Sequence, residues 1–278
     1  MRVDLCGVRG STPAPGRAFE RFGGHTSCVA ITPDGADTPT LILDAGTGLR
    51  DVPELLGAAP FTGTMLLTHL HWDHIQGLPF FPGGDRDDSS VSLHLPQQPD
   101  GRGALETLSR AMSPPFFPVA PDELRGSWSF ASLQPEESTH EGFTVIAREV
   151  PHKGGRTFGF RVSDGRSTLT YIPDHCPTNF GAGPHGYGEY HQAALELAAD
   201  TDVLIHDAQL LAREVPAEAA MGHSCGDYAV ELAKLAGSRS VLLFHHRPNR
   251  TDDEICELEA SFASPHVTAA RQGTTLRL

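Results

Sequence analysis

Four metal-capable side chains crowd into the six positions His69-Leu70-His71-Trp72-Asp73-His74. The apolar run Met65-Leu66-Leu67 before them reads as a buried strand, and Ile75-Gln76-Gly77-Leu78-Pro79 follows. In extended chain, residues at i and i+2 point the same way, so His69 and His71 leave the strand end side by side. The chain then turns, and Asp73 and His74 project to a neighbouring point. One short segment can therefore offer imidazoles to one divalent ion and a carboxylate plus an imidazole to a second.

Further ligand-type residues stand at strand ends in the second half. His152 follows Val145–Val150 through Pro151, Asp174 follows Leu169–Ile172 through Pro173, and His245 follows Val241–Phe244. His246, next to His245, competes for the same role, and register favours His245. A rigid sheet aims loops at a common point in this way. Five His and two Asp suffice for two metals with positions left open for water and substrate.

The elements that must carry these residues are short. Strands are expected at Arg2–Cys6, Ser27–Ile31, Leu41–Leu43, Thr64–Thr68 and Val91–Leu95, separated by Gly/Pro turns. Ala104–Met112 has helical spacing and stops at Ser113-Pro114-Pro115. A second run of strands covers Phe143–Val150, Thr157–Val162 and Thr168–Ile172. Helices at Tyr190–Ala199, Cys225–Ala236 and Asp252–Phe262 then alternate with strands at Val203–His206 and Ser240–His245, and Thr274–Leu278 closes as a last strand. No internal repeat or low-complexity linker interrupts the chain. Two strand-rich halves with helices, sharing one metal cluster, fit an α/β fold: a four-layer αββα sandwich formed by one domain over residues 1–278.

Composition narrows the functions. The 278 residues are 39% hydrophobic, enough for a substantial core. With 35 acids against 21 bases the net charge is −14, and no Lys/Arg stripe marks a long nucleic-acid groove. Five scattered cysteines without a CxxC pair argue against a disulfide framework and for a reducing compartment. Neither an apolar signal core nor a run of about 18 apolar residues is present, so a soluble, cytoplasmic protein with no membrane partner is expected.

The order His69-x-His71-x-Asp73-His74, His152, Asp174, His245 resembles the metallo-β-lactamase-fold hydrolases, across essentially the whole chain. The resemblance implies that His69, His71 and His152 bind one metal, that Asp73, His74 and His245 bind the other, and that Asp174 bridges. It implies two divalent ions, zinc first by its histidine-rich nitrogen ligation, with manganese or iron also accepted by the carboxylate. A homodimer is an expectation from the same source. An Asp at position 174 looks like the phosphodiesterase and glyoxalase branches rather than the β-lactamases themselves. Asp202–Ala208 is similar to the His-Glu-Ala-Thr segment of ribonuclease Z, with Asp207 in place of Glu, and Gly222-His223-Ser224 resembles the Gly-His-Ser-Thr segment. In that family the acid and the histidine assist departure of the leaving group. Asp is one methylene shorter than Glu, so direct contact between Asp207 and His223 is left open.

The chemistry implied is attack of a metal-bridging hydroxide on phosphorus, with His223 protonating the leaving alkoxide and Asp207 orienting its ring. Asp73 counts as catalytic as well as ligating. Asp44, at the end of Leu41–Leu43, is expected to hold the His loop by hydrogen bonds. His206, His175, His185 and His191 read as structural or surface residues before substrate contacts, and Met112–Phe117 as core before lid. Ribonuclease Z grips transfer RNA with a long protruding arm, and no matching basic insertion is visible here. The closer resemblance is to the phosphoribosyl cyclic phosphodiesterase branch, which makes a small cyclic or nucleotide phosphodiester the expected substrate. Two alternatives remain: a hydrolase of the same fold acting on a thioester, lactone or lactam, and a non-hydrolytic metal-binding biosynthetic accessory protein.

Overall fold

Alternating apolar residues in short strands need cover on both faces, and the chain supplies it with two packed sheets and an outer layer of helices on each. The computed structural model describes residues 1–278. The first sheet collects β1 (Arg2–Gly7), β2 (Cys28–Thr32), β3 (Leu41–Leu43), β4 (Thr62–Leu66), β5 (Ser90–Pro96) and β6 (Ser127–Leu133). The second collects β7 (Glu137–His140), β8 (Phe143–Val150), β9 (Thr157–Ser163), β10 (Thr168–Ile172), β11 (Val203–Asp207), β12 (Val241–Phe244) and β13 (Val267–Ala269). β14 (Thr275–Arg277) then returns to the first sheet beside β1, giving the orders β14-β1-β2-β3-β4-β5-β6 and β13-β12-β11-β10-β9-β8-β7.

The strand period of two sorts the side chains into layers. In β12, Leu242 and Phe244 enter the core between the sheets, while Val241 and Leu243 face outward. In β3, Leu41 and Leu43 point inward and Ile42 outward. The inter-sheet core joins Val3, Leu5, Val29 and Leu66 of one sheet to Phe158, Phe160, Tyr171 and Ile205 of the other. Outside the first sheet lie α1 (Val52–Leu56), α2 (Trp72–Ile75) and α3 (Ala104–Ser109). Outside the second lie α4 (Gln192–Ala198), α5 (Val215–Glu218), α6 (Gly226–Ala236) and α7 (Asp252–Ser261). The result is the expected four-layer αββα sandwich.

β3 to β6 run parallel to one another, as do β10 to β13. Parallel neighbours deliver their carboxyl ends to one edge of a sheet, where open α/β sheets gather ligands. Asp44 and Thr68-His69 emerge beyond β3 and β4. Asp174, Asp207 and His245 emerge at or just beyond the ends of β10, β11 and β12.

Three strands escape the pattern read from the sequence. β6 (Ser-Trp-Ser-Phe-Ala-Ser-Leu) and β7 are edge strands, so only one neighbour constrains them and their exposed faces are polar. β7 has no apolar residue. It is held by a tight hairpin to β8 in which Glu141 and Gly142 both adopt positive φ, as a two-residue type I′ connection requires. β13 has three residues, too few to show alternation. The helix expected over Ala104–Met112 ends at Ser109, and Met112 lies in the outer core after a further turn. All five cysteines are free thiols, and no helix is long and apolar enough to cross a membrane.

Candidate metal centre

The segment from His69 to His74 divides between two kinds of backbone. His69 and His71 lie in extended chain after β4, and their rings meet with centroids 4.5 Å apart. α2 then begins at Trp72. Its single turn sends Asp73 and His74 inward while Trp72, 76% exposed, points to solvent. The second sheet completes the cluster. His152 Nε2 lies 3.2 Å from His71 Nδ1, and His245 Nε2 lies 3.3 Å from His74 Nε2 and 3.1 Å from Asp73 Oδ2.

Ligand-capable atoms of His69, His71 and His152 fall within 4.8 Å of one another, as do those of Asp73, His74 and His245. Asp174 sits between the two groups. Its Oδ1 is 3.5 Å from His152 Nε2 and 4.0 Å from His69 Nε2, while its Oδ2 is 2.9 Å from His74 Nε2 and 3.2 Å from His245 Nε2. The structure thus brings all seven expected side chains to one buried point.

The choice between His245 and His246 is made by the backbone. Phe244 faces the inter-sheet core, and strict alternation would send His245 outward. Instead His245 takes a left-handed φ of 58°, which turns its ring into the cluster. His246 donates from Nε2 to the Ala270 carbonyl at 2.8 Å and packs edge-on against Phe22. The turn works only beside glycine: a Cβ at Gly10 would lie 2.3 Å from His245 Nδ1.

Outer contacts fix which ring nitrogen faces inward. His74 Nδ1 bonds Asp44 Oδ2 at 2.8 Å, and His152 Nδ1 bonds the Gly222 carbonyl at 2.6 Å, so each presents Nε2 to the centre. Asp44, itself at φ 60°, also accepts from Thr68 N at 2.7 Å and from the Tyr171 hydroxyl at 2.9 Å. The holding role expected of Asp44 is therefore visible in its contacts. An Asp44→Ala chain is expected to bind zinc about 10–100-fold more weakly, the usual loss when such an outer partner is removed. Competition with a chelating dye checks this.

The polar balance of the cluster fits divalent cations. His69 Nε2 and His245 Nδ1 are buried without a hydrogen-bond partner, and Asp174 Oδ2, though 2.9 Å from His74 Nε2, makes no hydrogen bond of good geometry. Buried polar atoms are normally satisfied, and two of these three face the shared point between the ligand groups. Burial and neighbouring imidazoles hold His69 well below its ordinary pKa, hence neutral and able to coordinate. Burial opposes charge on His74, yet Asp174, Asp73 and Asp44 outweigh it and raise that ring well above its ordinary value. Burial likewise works against ionised Asp73 and Asp174, and the surrounding histidines overcome it and keep both well below the usual carboxylate range. A cation would take over the positive charge that these carboxylates demand, releasing the proton. Nitrogen and carboxylate donors of this kind suit zinc and also accept manganese or iron.

Asp207 and His223 lie against the same centre. Asp207, at the end of β11, is fully buried, and its Oδ2 is 3.0 Å from His223 Nδ1. The shorter side chain therefore does reach His223, which is buried in the loop before α6. Three backbone N–H groups, those of His175, Ser224 and Gln209, also donate to the Asp207 carboxylate. Burial would neutralise His223, but the charge and hydrogen bond of Asp207 win and raise its pKa to about 9, with Asp174 and Asp73 adding. Behind Asp207, His206, His175 and His191 form a hydrogen-bonded row, His175 Nδ1 to His206 Nε2 at 2.9 Å and His175 Nε2 to His191 Nε2 at 2.6 Å. Those three support the loop from within. His185 is exposed and lines a separate surface groove.

Several contributors lay outside the sequence reading. Ser11, at φ 63°, donates its N–H to Asp73 Oδ2 at 2.6 Å, and its hydroxyl meets Gln209 Oε1 at 3.2 Å. The loop carrying it is anchored by Arg9, fully buried and bonded to the carbonyls of Gly23, Arg247 and Arg250. The only signal in the sequence was the turn-rich Gly7–Pro13 segment at a strand end. Met112–Phe117 divides: Met112 is core, while Phe116 is 81% exposed beside His69 and His71.

Residues 40–246 match the beta-lactamase superfamily domain. A ribonuclease Z of Haloferax volcanii is 26% identical, the alignment covering 88% of this chain and 84% of that protein. Among solved structures, the metallo-beta-lactamase fold protein YhfI from Bacillus subtilis superposes with a TM-score of 0.72 at 19% identity, covering 99% of both chains. A diphosphatase of the PhnP family superposes at 0.69 with 16% identity, over 100% of this chain and 97% of that one.

Proposed function

We propose, for a chain that belongs to the beta-lactamase superfamily, that the histidine–aspartate centre performs metal-dependent hydrolysis of phosphodiesters, with a small cyclic or nucleotide diester as substrate. The observation that carries this reading is the Asp207–His223 pair lying against the ligand cluster, with ligand-capable atoms of Asp207, His223 and His245 within 4.8 Å of one another. A hydrolase of activated acyl bonds has no use for a buried acid–imidazole pair beside its centre. A phosphodiester with an alkoxide leaving group does.

In this reading His69, His71 and His152 hold one cation, Asp73, His74 and His245 hold the other, and Asp174 serves both. Bound dications supply Lewis-acid charge to the phosphoryl group and make water a nucleophile at neutral pH. A cavity of about 400 Å³ lined by Ser11, His71, Trp72, Asp73, Asp174 and His223 receives the scissile group. His223, carrying its proton, donates it to the departing oxygen as the phosphorus–oxygen bond breaks. Asp207 keeps that ring oriented and charged, and the buried rows behind it keep Asp207 fixed.

The ribonuclease Z relatives favour a second reading, in which the diester belongs to an RNA. The net charge of −14 weighs against a long polyanion and for a small substrate. Both are tested by loading the protein with zinc, manganese or iron, measuring bound metal, and assaying cyclic nucleotides, bis(p-nitrophenyl) phosphate and a transfer-RNA precursor. Turnover of the small diesters with no defined cleavage of the RNA is expected. Cleavage of the RNA alone would replace the small substrate by the second reading. A metal-loaded protein inert toward all three would end both.

A further inference from the structure

A second cavity, of about 590 Å³, adjoins the first across a ridge formed by Leu70, His71 and Trp72. It lies over His69 and His71, on the side that does not reach His223. Its walls differ from the rest of this acidic protein. Arg110, just after α3, lines it and is exposed with no carboxylate or carbonyl partner for its guanidinium. Lys153 also lines it and meets only the Ala220 carbonyl, at 3.3 Å. The acid on this wall, Asp100, is already paired with Arg102, and Arg156 with Glu149. One cation without a partner, Arg110, and one without a carboxylate, Lys153, therefore face one cavity in a chain of net charge −14.

The backbone is shaped to the same end. Gly154 and Gly155 pass over the cavity with positive φ, and a Cβ on Gly154 would lie 2.9 Å from His71 Nε2. Neither glycine N–H is accepted by a protein atom. Successive free N–H groups beside basic side chains are an anion-binding arrangement. Two large aromatic side chains, Trp72 and Phe116, line the same cavity and are mostly exposed, although large aromatics usually bury their rings. Exposed rings beside cations are a platform for a flat heterocycle next to a phosphate.

The geometry points to this lobe as a subsite for a substituent carrying both a planar ring and an anionic group, set apart from the proton donor. Resting on the phosphodiesterase reading, it makes the substrate a nucleotide-bearing diester with a second phosphate, held by Arg110, Lys153 and the Gly154–Gly155 amides, its ring against Trp72 and Phe116.

The test is calorimetric titration of the zinc-loaded full chain with AMP, which offers a ring and a phosphate and requires no turnover. Arg110→Ala and Phe116→Ala, both at exposed positions, are each expected to weaken AMP binding about tenfold. Ribose 5-phosphate, lacking the ring, should respond to Arg110→Ala and not to Phe116→Ala. AMP affinities within twofold of the unmodified chain in both variants would overturn the subsite, as would failure of the unmodified chain to bind AMP. Absence of diester hydrolysis alongside Arg110-dependent AMP binding would remove the functional reading and leave the subsite standing.

Discussion

An Asp174→Ala chain is expected to lose diester hydrolysis almost completely and to retain at most one metal equivalent, against the two expected of the unmodified chain. Asp174 is the one carboxylate whose two oxygens face different ligand groups, Oδ1 toward His69 and His152, Oδ2 toward His74 and His245. Its removal strips a negative charge from a buried site packed with five imidazoles. Assembling two dications there then lacks the charge that offsets their repulsion. The loss should exceed the roughly 10–100-fold that follows removal of an outer partner, because Asp174 touches the centre itself. Elemental analysis after gel filtration, with initial rates on bis(p-nitrophenyl) phosphate, checks both halves. Two retained ions and a rate within tenfold of the unmodified chain would show that Asp174 does not serve both groups. Asp174→Asn separates charge from volume, and a fall as deep as that of the alanine variant is expected.

The second large effect concerns His223. Its replacement by Ala should slow hydrolysis of a diester with an alkoxide leaving group by about 10²–10⁴, the range for loss of a positioned general acid. The p-nitrophenolate group departs without a proton, so bis(p-nitrophenyl) phosphate should suffer far less. The ratio of the two rates is the diagnostic, since a role confined to holding the loop would depress both alike. Asp207→Asn should move the ratio in the same direction by losing the charge that supports the imidazolium. The Asp207 carboxylate also accepts from the backbone of His175, Ser224 and Gln209, so a melting curve must accompany that variant. Equal slowing of both substrates by His223→Ala would remove this residue from proton transfer.

The candidate ligands were legible because their signals are local. His69, His71, Asp73 and His74 are tied by the i, i+2 geometry of extended chain followed by one helical turn, and a residue or two of sequence sets their directions. His152, Asp174 and His245 each close an apolar run, so a strand end could be read for each without knowing its neighbours. The two-sheet, helix-flanked architecture followed from the alternation of strands and helices. Edge strands β6 and β7 did not, because with one neighbour each they need no apolar face of their own.

What depended on tertiary structure was every apposition between segments remote in the chain. Parallel registry of β10, β11 and β12 sets Asp174, Asp207 and His245 at one edge, and no spacing in the sequence encodes that registry. His245 is the ligand that register favoured, but a left-handed turn rather than strand alternation brings its ring into the cluster, and Gly10, 235 positions earlier, leaves room for it. Ser11, Tyr171 and Gln209 reach the site through folded contacts of otherwise ordinary residues. The second lobe, with Arg110, Lys153 and Phe116, exists only as a shape between loops. Local stereochemistry determines which side chains a segment can present, whereas sheet pairing and close packing determine which segments meet.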